Sequence, residues 1–262
     1  MKTIAIMSPK GGIGKTTTAD SVAYILGEER GKRVLVIEGD PQGDTSRTYG
    51  AYDPEGIGMS ELLERHLSIG GDYSTTELIH NTPYTHIHII PGNGYLMQTD
   101  MNLLQEKEEN QVNRLRTALK EVQGDYDFCI CDCGRLFDMV VINIILASDL
   151  IIAPVKVGGF EVTALAALTE QVEDLKRLSP DYEHIRVKVV MTMRQKNLTT
   201  LDAEDWLRNT SGFDMYTTPI RRSIQTEKAS MLFKPLPLFS RRGIVTQDYR
   251  ALVDEIIKDM GV

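Results

Sequence analysis

The segment Ser8-Pro9-Lys10-Gly11-Gly12-Ile13-Gly14-Lys15-Thr16-Thr17 constrains this chain most, because it joins an apolar run at residues 3–8 directly to a segment of helical spacing at residues 16–27. Strand, glycine-rich loop and helix in immediate succession is the setting in which such glycines bind an anion. Glycines at 11, 12 and 14 let the backbone turn tightly, so that successive N–H groups point at one group of oxygens. The helix N-terminus that follows adds its partial positive charge. A phosphate chain fits that nest. Lys15 would reach the outer phosphates as a point charge, the Thr16 hydroxyl would ligate Mg²⁺, and Thr17 could donate to the α-phosphate. The candidate nucleotide-binding residues are therefore Gly11, Gly12, Ile13, Gly14, Lys15, Thr16 and Thr17.

Short β-rich apolar runs recur at residues 3–8, 33–38, 86–90, 126–132, 150–155, 185–193 and 214–220. Helical spacing fills most of the gaps, at residues 16–27, 104–122, 162–178, 200–208 and 246–260. This alternation predicts an α/β chain with a mostly parallel central sheet flanked by helices on both faces. The first, second, fourth and fifth runs are apolar almost throughout, as central strands covered on both sides must be. No internal repeat, low-complexity tract or long linker appears, so residues 1–262 are expected to form one domain. Residues 51–71 and 93–113 are the least regular, and the charge run Glu106, Lys107, Glu108, Glu109, Asn110 reads as a solvated helix face.

With 42% apolar and 25% charged residues, the chain can bury a sizeable core. No run of about 18 apolar residues occurs that would span a membrane, and the N-terminus enters its strand without the features of a secretory leader, which points to the cytoplasm. Cys129, Cys131 and Cys133 alternate along one run and share a strand face. An odd, clustered trio is not a disulfide framework, and without paired Cys-x-x-Cys spacing or a fourth ligand it reads as buried thiols. The net charge of −8 argues against a uniformly basic, nucleic-acid-coating protein. Its distribution is uneven: residues 1–185 hold 16 Lys/Arg against 28 Asp/Glu, whereas residues 186–262 hold 13 against 9. A local basic patch in the C-terminal third follows.

The glycine loop departs from the common Gly-x-x-x-x-Gly-Lys-Thr pattern, since Pro9 stands where the first glycine belongs and a second lysine, Lys10, precedes Gly11. The sequence Lys-Gly-Gly-x-Gly-Lys-Thr-Thr resembles the deviant phosphate loop of the ParA/MinD ATPases, a family that also includes the nitrogenase iron protein. The resemblance implies a three-layer P-loop NTPase fold, ATP and Mg²⁺ as cofactors, and slow hydrolysis of ATP to ADP and phosphate. It also implies an ATP-dependent homodimer, in which Lys10 by position reaches the partner's nucleotide.

Glu38-Gly39-Asp40-Pro41-Gln42-Gly43-Asp44 looks like the family's Asp-x-Asp-Pro-Gln-Gly-Asn segment, which gives Asp40 the carboxylate that positions the attacking water. By itself Asp40-Pro41 would be an ordinary turn signal. Glu38 replaces the family's first aspartate. Asp132 ends the fourth apolar run at the sheet edge where open α/β folds bind ligands; it reads as a Mg²⁺ ligand through water, although a strand-ending aspartate can equally be a helix cap. Catalytic roles thus fall to Lys10, Lys15 and Asp40, and the metal set is Thr16, Asp40 and Asp132. Where the family continues with prolines this chain has Gly134-Arg135-Leu136, which leaves the role of Arg135 open. Ile152-Ala153-Pro154-Val155 and the tail Pro219-Ile220-Arg221-Arg222-Ser223, Phe233-Lys234-Pro235-Leu236 and Ser240-Arg241-Arg242-Gly243 also resemble ParA segments, and bring Pro219 and Arg221 into the nucleotide-binding set. No Asn-Lys-x-Asp guanine-reading segment occurs, which favours ATP over GTP.

Within the family, one reading is a ParA-like partition ATPase for plasmids, chromosomes or mobile elements. Its ATP-bound dimer would hold nonspecific DNA on the nucleoid until a ParB-like centromere-binding protein triggers hydrolysis. Arg194, Lys196, Arg222, Lys234, Arg241 and Arg242, with Arg221, are the candidate DNA contacts. No N-terminal extension precedes the first strand to hold a helix-turn-helix, so operator binding is not expected. A MinD-like membrane-cycling ATPase is the alternative, but its basic amphipathic terminal helix is replaced here by the acidic Leu252-Val253-Asp254-Glu255-Ile256-Ile257-Lys258-Asp259, so no membrane partner is expected. An iron–sulfur role would need cysteines outside the one strand, and there are none.

Overall fold

The computed structural model describes residues 1–65, 67, 71–105, 111–156 and 159–262. Strands β1 (Lys2–Ile6), β2 (Val34–Gly39), β3 (His80–Asn81), β4 (Ile87–Ile90), β5 (Phe128–Cys133), β6 (Leu150–Lys156) and β7 (Arg186–Thr192) form one sheet in the order β3-β4-β2-β5-β1-β6-β7. Every pairing is parallel except β3 against β4. The helices are α1 (Lys15–Tyr24), α2 (Asp44–Thr48), α3 (Met59–Glu64), α4 (Leu96–Gln105), α5 (Arg114–Val122), α6 (Met139–Leu146), α7 (Gly159–Lys176), α8 (Leu198–Asn209), α9 (Ile224–Met231), α10 (Leu236–Phe239) and α11 (Ile244–Met260).

Alternation along each strand sends side chains to two separate cores. Ala5, Leu35, Ile37 and Cys131 meet α3 to α7 on one face, while Ile4, Ile6, Val36 and Ile130 meet α1, α10 and α11 on the other. This is the three-layer α/β arrangement expected from the alternating pattern, and it explains why β2 and β5 are buried along their whole length. The order also positions the site. β5 lies between β1 and β2, with Asp132 in register beside Ile6 on one side and Glu38 on the other. The loops that leave the carboxyl ends of β1, β2 and β5 therefore emerge together.

Two expectations are corrected, and one helix was not foreseen. Residues 214–220 are not a strand: one isolated bridge joins Met215 to Val189 of β7, and a second, between Arg194 and Arg221, lies beyond both segments. Pro219 has no N–H, and the Thr217 and Thr218 amides donate instead to Glu255 at 2.8 and 2.9 Å, so no continuous ladder forms. The helix read at residues 104–122 is two helices, α4 and α5, and the second starts where Asn143 Oδ1 accepts the Arg114 and Leu115 amides at 2.9 and 3.3 Å. Helix α6 had no distinct signal, because its residues are almost all apolar and buried and so show no amphipathic period. The run Glu106, Lys107, Glu108, Glu109, Asn110 lies outside the described residues.

Helix α11 closes the second core. Leu252, Val253 and Ile256 are fully buried, and Arg250 makes a two-pronged pair with Glu29, at 2.6 and 2.7 Å, just beyond α1. Truncating a fully buried leucine leaves a cavity as well as removing apolar burial. Leu252→Ala is expected to lower the unfolding free energy by roughly 2–5 kcal/mol in urea titrations. A loss below about 1 kcal/mol would mean that α11 lies outside the cooperative core.

Candidate functional site

The loop after β1 reaches α1 with Gly12 at φ 69° and Gly14 at φ 94°, left-handed conformations that glycine adopts without strain. Gly14 is the residue immediately before α1, so the free amides of the first helical turn open toward the loop. Lys15 is 8% exposed and its Nζ donates to the Lys10 carbonyl at 3.3 Å. Burial lowers the Lys15 pKa, and the nearby Asp132 and Asp40 carboxylates oppose that shift. Lys10 itself is half-buried at the mouth of the loop.

Asp132 is fully buried at the end of β5. Its Oδ2 accepts the Thr45 hydroxyl at 2.9 Å, whereas Oδ1 has no hydrogen-bond partner. Burial pushes its pKa up to about 6, against the pull of the Thr16 and Thr45 hydroxyls and Lys15. A buried carboxylate oxygen without a partner, beside the Thr16 hydroxyl, suits a hard cation that takes oxygen ligands. Among the described residues no group of three or more His, Cys, Asp or Glu is arranged to hold an ion by itself. Mg²⁺ commonly sits instead on one or two protein oxygens plus substrate phosphates.

Glu38 is likewise fully buried, and it is a loop pin. Its Oε1 accepts the Asp40 amide at 3.3 Å, and its Oε2 accepts the Ser46 amide at 2.9 Å and the Ser46 hydroxyl at 3.4 Å. Burial and then Asp132 hold the Glu38 carboxyl well above the usual range. Asp40 is half-buried, and its Oδ1 accepts the Gln42 amide at 3.0 Å in the turn that carries it. Arg135 is exposed and lies across the glycine loop, where a methyl on Gly11 would sit 3.4 Å from its Cδ and Nη1.

A cleft of about 360 Å³ extends from Gly12, Ile13, Gly14 and Thr17 to Met193, Ile220, Arg221 and Ser223. Arg221 thus lines the expected nucleotide side, while Pro219 does not. Met193 was missed by sequence reasoning. Its φ of 53° is a left-handed conformation that costs a non-glycine residue about 1 kcal/mol or more, and such strain gathers at ligand sites. Asp20 and Thr45, whose hydroxyl stands 3.1 Å from Asp20 Oδ1, were missed as well, because nothing in the mixed polar and apolar sequence of α1 marks Asp20.

The basic candidates divide into two groups. Lys196, Arg222, Lys234, Arg241 and Arg242 are exposed. Arg194 instead pairs with Glu204 at 2.6 Å, and Arg221 is gripped by Asp248, so both have internal work. The cysteines are buried as expected, with Cys129 and Cys131 sulfurs 3.8 Å apart, and burial pushes the Cys133 thiol up.

The family model for an AAA domain matches residues 1–185. A chromosome partitioning protein ParA of Myxococcus xanthus is 26% identical over 256 residues, which cover 97% of this chain and 87% of that one. Among solved structures, apo McdA of Cyanothece superposes with a TM-score of 0.83 at 21% identity, covering 97% of this chain and 98% of the other. A cobyrinic acid a,c-diamide synthase of Mycobacterium smegmatis, with bound ATP analogue and magnesium, superposes with a TM-score of 0.81 at 21% identity, covering 100% and 96%.

The fold keeps Asp132 ionised at a cost, since its pKa is near 6 in the folded chain and about 4 in the unfolded one. The folded state therefore binds the proton first as pH falls, and the penalty present above pH 6 is relieved below it. Asp132→Asn is expected to stabilise the metal-free protein at pH 8 by up to roughly 3 kcal/mol. The gap from wild type should narrow as pH falls below 6 and close only near pH 4, and melting curves in chelator check both. Equal stability at pH 8 would show that Asp132 is not held as a strained anion.

Proposed function

The chain belongs to the AAA-domain family of P-loop proteins and is of the ParA/Soj type, and on that premise we propose that it is a Mg·ATP-dependent partition ATPase. In this reading it dimerises on ATP, grips DNA without sequence preference in that state, and lets go on hydrolysis stimulated by a ParB-like partner. The observation that carries the reading is the convergence of Lys10, Lys15, Asp40 and Asp132 on one mouth at the carboxyl edge of β1, β2 and β5.

Each residue has a role that its placement supports. The amides of the loop and of the first turn of α1 cradle the phosphates, and Lys15 holds the outer ones from within its buried slot. Thr16 and the unpartnered Oδ1 of Asp132 hold Mg²⁺, with Asp40 nearby. When bound, Mg²⁺ supplies charge neutralisation on the phosphate oxygens. Asp40, fixed by its own turn and by Glu38, orients the attacking water. Lys10 and Arg135 stand at the open rim, where a second copy's nucleotide could meet them. The strained turn at Met193 and the Arg221 side of the cleft receive the nucleoside.

Lys196, Arg222, Lys234, Arg241 and Arg242 supply the phosphate-backbone contacts. The apolar face of α11 is buried in the second core rather than free to enter lipid, and among the described residues no helix is long and apolar enough to cross a membrane. The burial of α11 supports the DNA reading over a membrane-cycling one.

DNA retention should require ATP, not ADP, and should fall steeply with salt. Lys10→Ala is expected to weaken it at least tenfold, whereas Asp40→Ala should preserve or prolong it by blocking hydrolysis. Filter binding at two salt concentrations checks all three. Retention that is indifferent to nucleotide would sink the reading.

A further inference from the structure

Resting on the Mg·nucleotide reading above, we propose that Asp20 is a positioning residue: acting through the Thr45 hydroxyl, it fixes Asp132 Oδ2 and so leaves Asp132 Oδ1 as the ligand atom. Asp20 follows Thr16 by four residues on α1 and therefore shares its helix face. It is 6% exposed, in a stretch where Ala19, Val22 and Ala23 are fully buried. Thr45, on α2, stands between two carboxyl groups, 3.1 Å from Asp20 Oδ1 and 2.9 Å from Asp132 Oδ2.

A threonine hydroxyl has one hydrogen and can accept through its lone pairs. With both acids ionised, one of the two contacts would bring oxygen against oxygen with no hydrogen between them, around a Thr45 side chain that is fully buried. A neutral Asp20 removes the conflict. Its O–H donates to Thr45 Oγ1, and Thr45 donates to Asp132, so every oxygen on the path has a partner. Burial and then the neighbouring Asp132 hold the Asp20 carboxyl well above the usual range, which agrees with that direction. The Tyr49 hydroxyl donates to the Asp20 carbonyl at 3.1 Å and ties the end of α2 to the same turn of α1. The path thus joins α1, α2 and β5, the three elements that carry Thr16, the end of the Asp40 loop and Asp132.

Outer-shell groups of this kind commonly change metal affinity about ten- to a hundredfold when removed. The test uses the full chain and four variants. Asp20→Asn keeps a donor toward Thr45, and Thr45→Ser keeps the hydroxyl; Asp20→Leu and Thr45→Val remove them with similar volume. The readouts are the Mg²⁺ concentration at half-saturation of fluorescent ATP binding, and the Asp132 side-chain orientation in crystals.

The expected result is a rise of about tenfold or more in half-saturating Mg²⁺ for Asp20→Leu and for Thr45→Val. The double variant should be no worse than either, because both cut one path. Asp20→Asn and Thr45→Ser should stay within about twofold of wild type, on the premise that a donor hydrogen is what the site requires. Asp20→Asn as damaging as Asp20→Leu would overturn the inference, by showing that negative charge at Asp20 is what matters. Wild-type Mg²⁺ dependence in Asp20→Leu would overturn it too. If wild type shows no Mg²⁺-dependent nucleotide binding, the underlying reading fails, and the crystals still decide the relay: an Asp132 that swings in Asp20→Leu but not in Asp20→Asn supports it, and an unmoved Asp132 in both refutes it.

Discussion

Everything at this site depends on carboxyl groups held where water cannot solvate them. Asp20, Glu38 and Asp132 are buried under the phosphate loop, and Lys15 is the buried cation beside them. Removing an ion from water costs several kcal/mol even after relaxation, and one ammonium could not compensate three anions, so the three acids are not all ionised together. Each acid meets the cost differently. Glu38 is bracketed by amides at both ends of the loop it pins, Asp132 draws on Thr45 and Lys15, and Asp20 has hydroxyl neighbours rather than cations. The region is consequently short of compensating positive charge, which under the proposed reading a bound cation would supply.

That shortage gives the fold a means of switching. The Asp40 loop is anchored through Glu38, and Gly134 leaves so little room that an added methyl would lie 3.3 Å from the Gly39 carbonyl. The segments after β2 and β5 therefore cannot move independently. Beyond them, Asp138 caps α6 by accepting the Val141 amide at 2.9 Å, and Asp100 on α4 accepts the Met139 amide at 2.7 Å. The segment that follows Asp132 thus ends at the start of α6, which is hydrogen-bonded to α4. Bistable loops joined in this way are how nucleotide state commonly becomes shape.

What could be read from the sequence follows from which physics is local. The glycine loop was legible because backbone conformation, helix polarity and residue order all lie within ten consecutive positions. The parallel sheet was legible because strands buried on both faces are apolar throughout, and Asp132 because it breaks such a run at its end. Residues 214–220 misled because, although Pro219 counted against a strand, nothing local shows that Glu255, far along the chain, takes two of the segment's amides. Thr45 and Asp20 were invisible for a similar reason: 25 residues separate them, and neither type is unusual at its position. Arg194 and Arg221 looked like free cations because their acidic partners, Glu204 and Asp248, also lie along the chain rather than beside them.

The acidic chain and a DNA-gripping role are compatible once distance is considered. A net charge of −8 acts over the whole molecule, but screening at physiological salt confines each charge to about 8 Å. Within that range a phosphate sees only its neighbours, so the exposed Lys196, Lys234, Arg241 and Arg242 act locally, while Arg222 also has Glu227 4.0 Å away. One such patch would bind weakly, since each phosphate contact is readily displaced by salt. Two patches held by one dimer bind the same duplex with the second contact made effectively intramolecular. Under the proposed reading, ATP therefore has no need to reshape the basic surface. Bringing two copies together through the Lys10 rim is enough to turn a patch too weak to hold DNA into one that does, and hydrolysis undoes the effect by separating them.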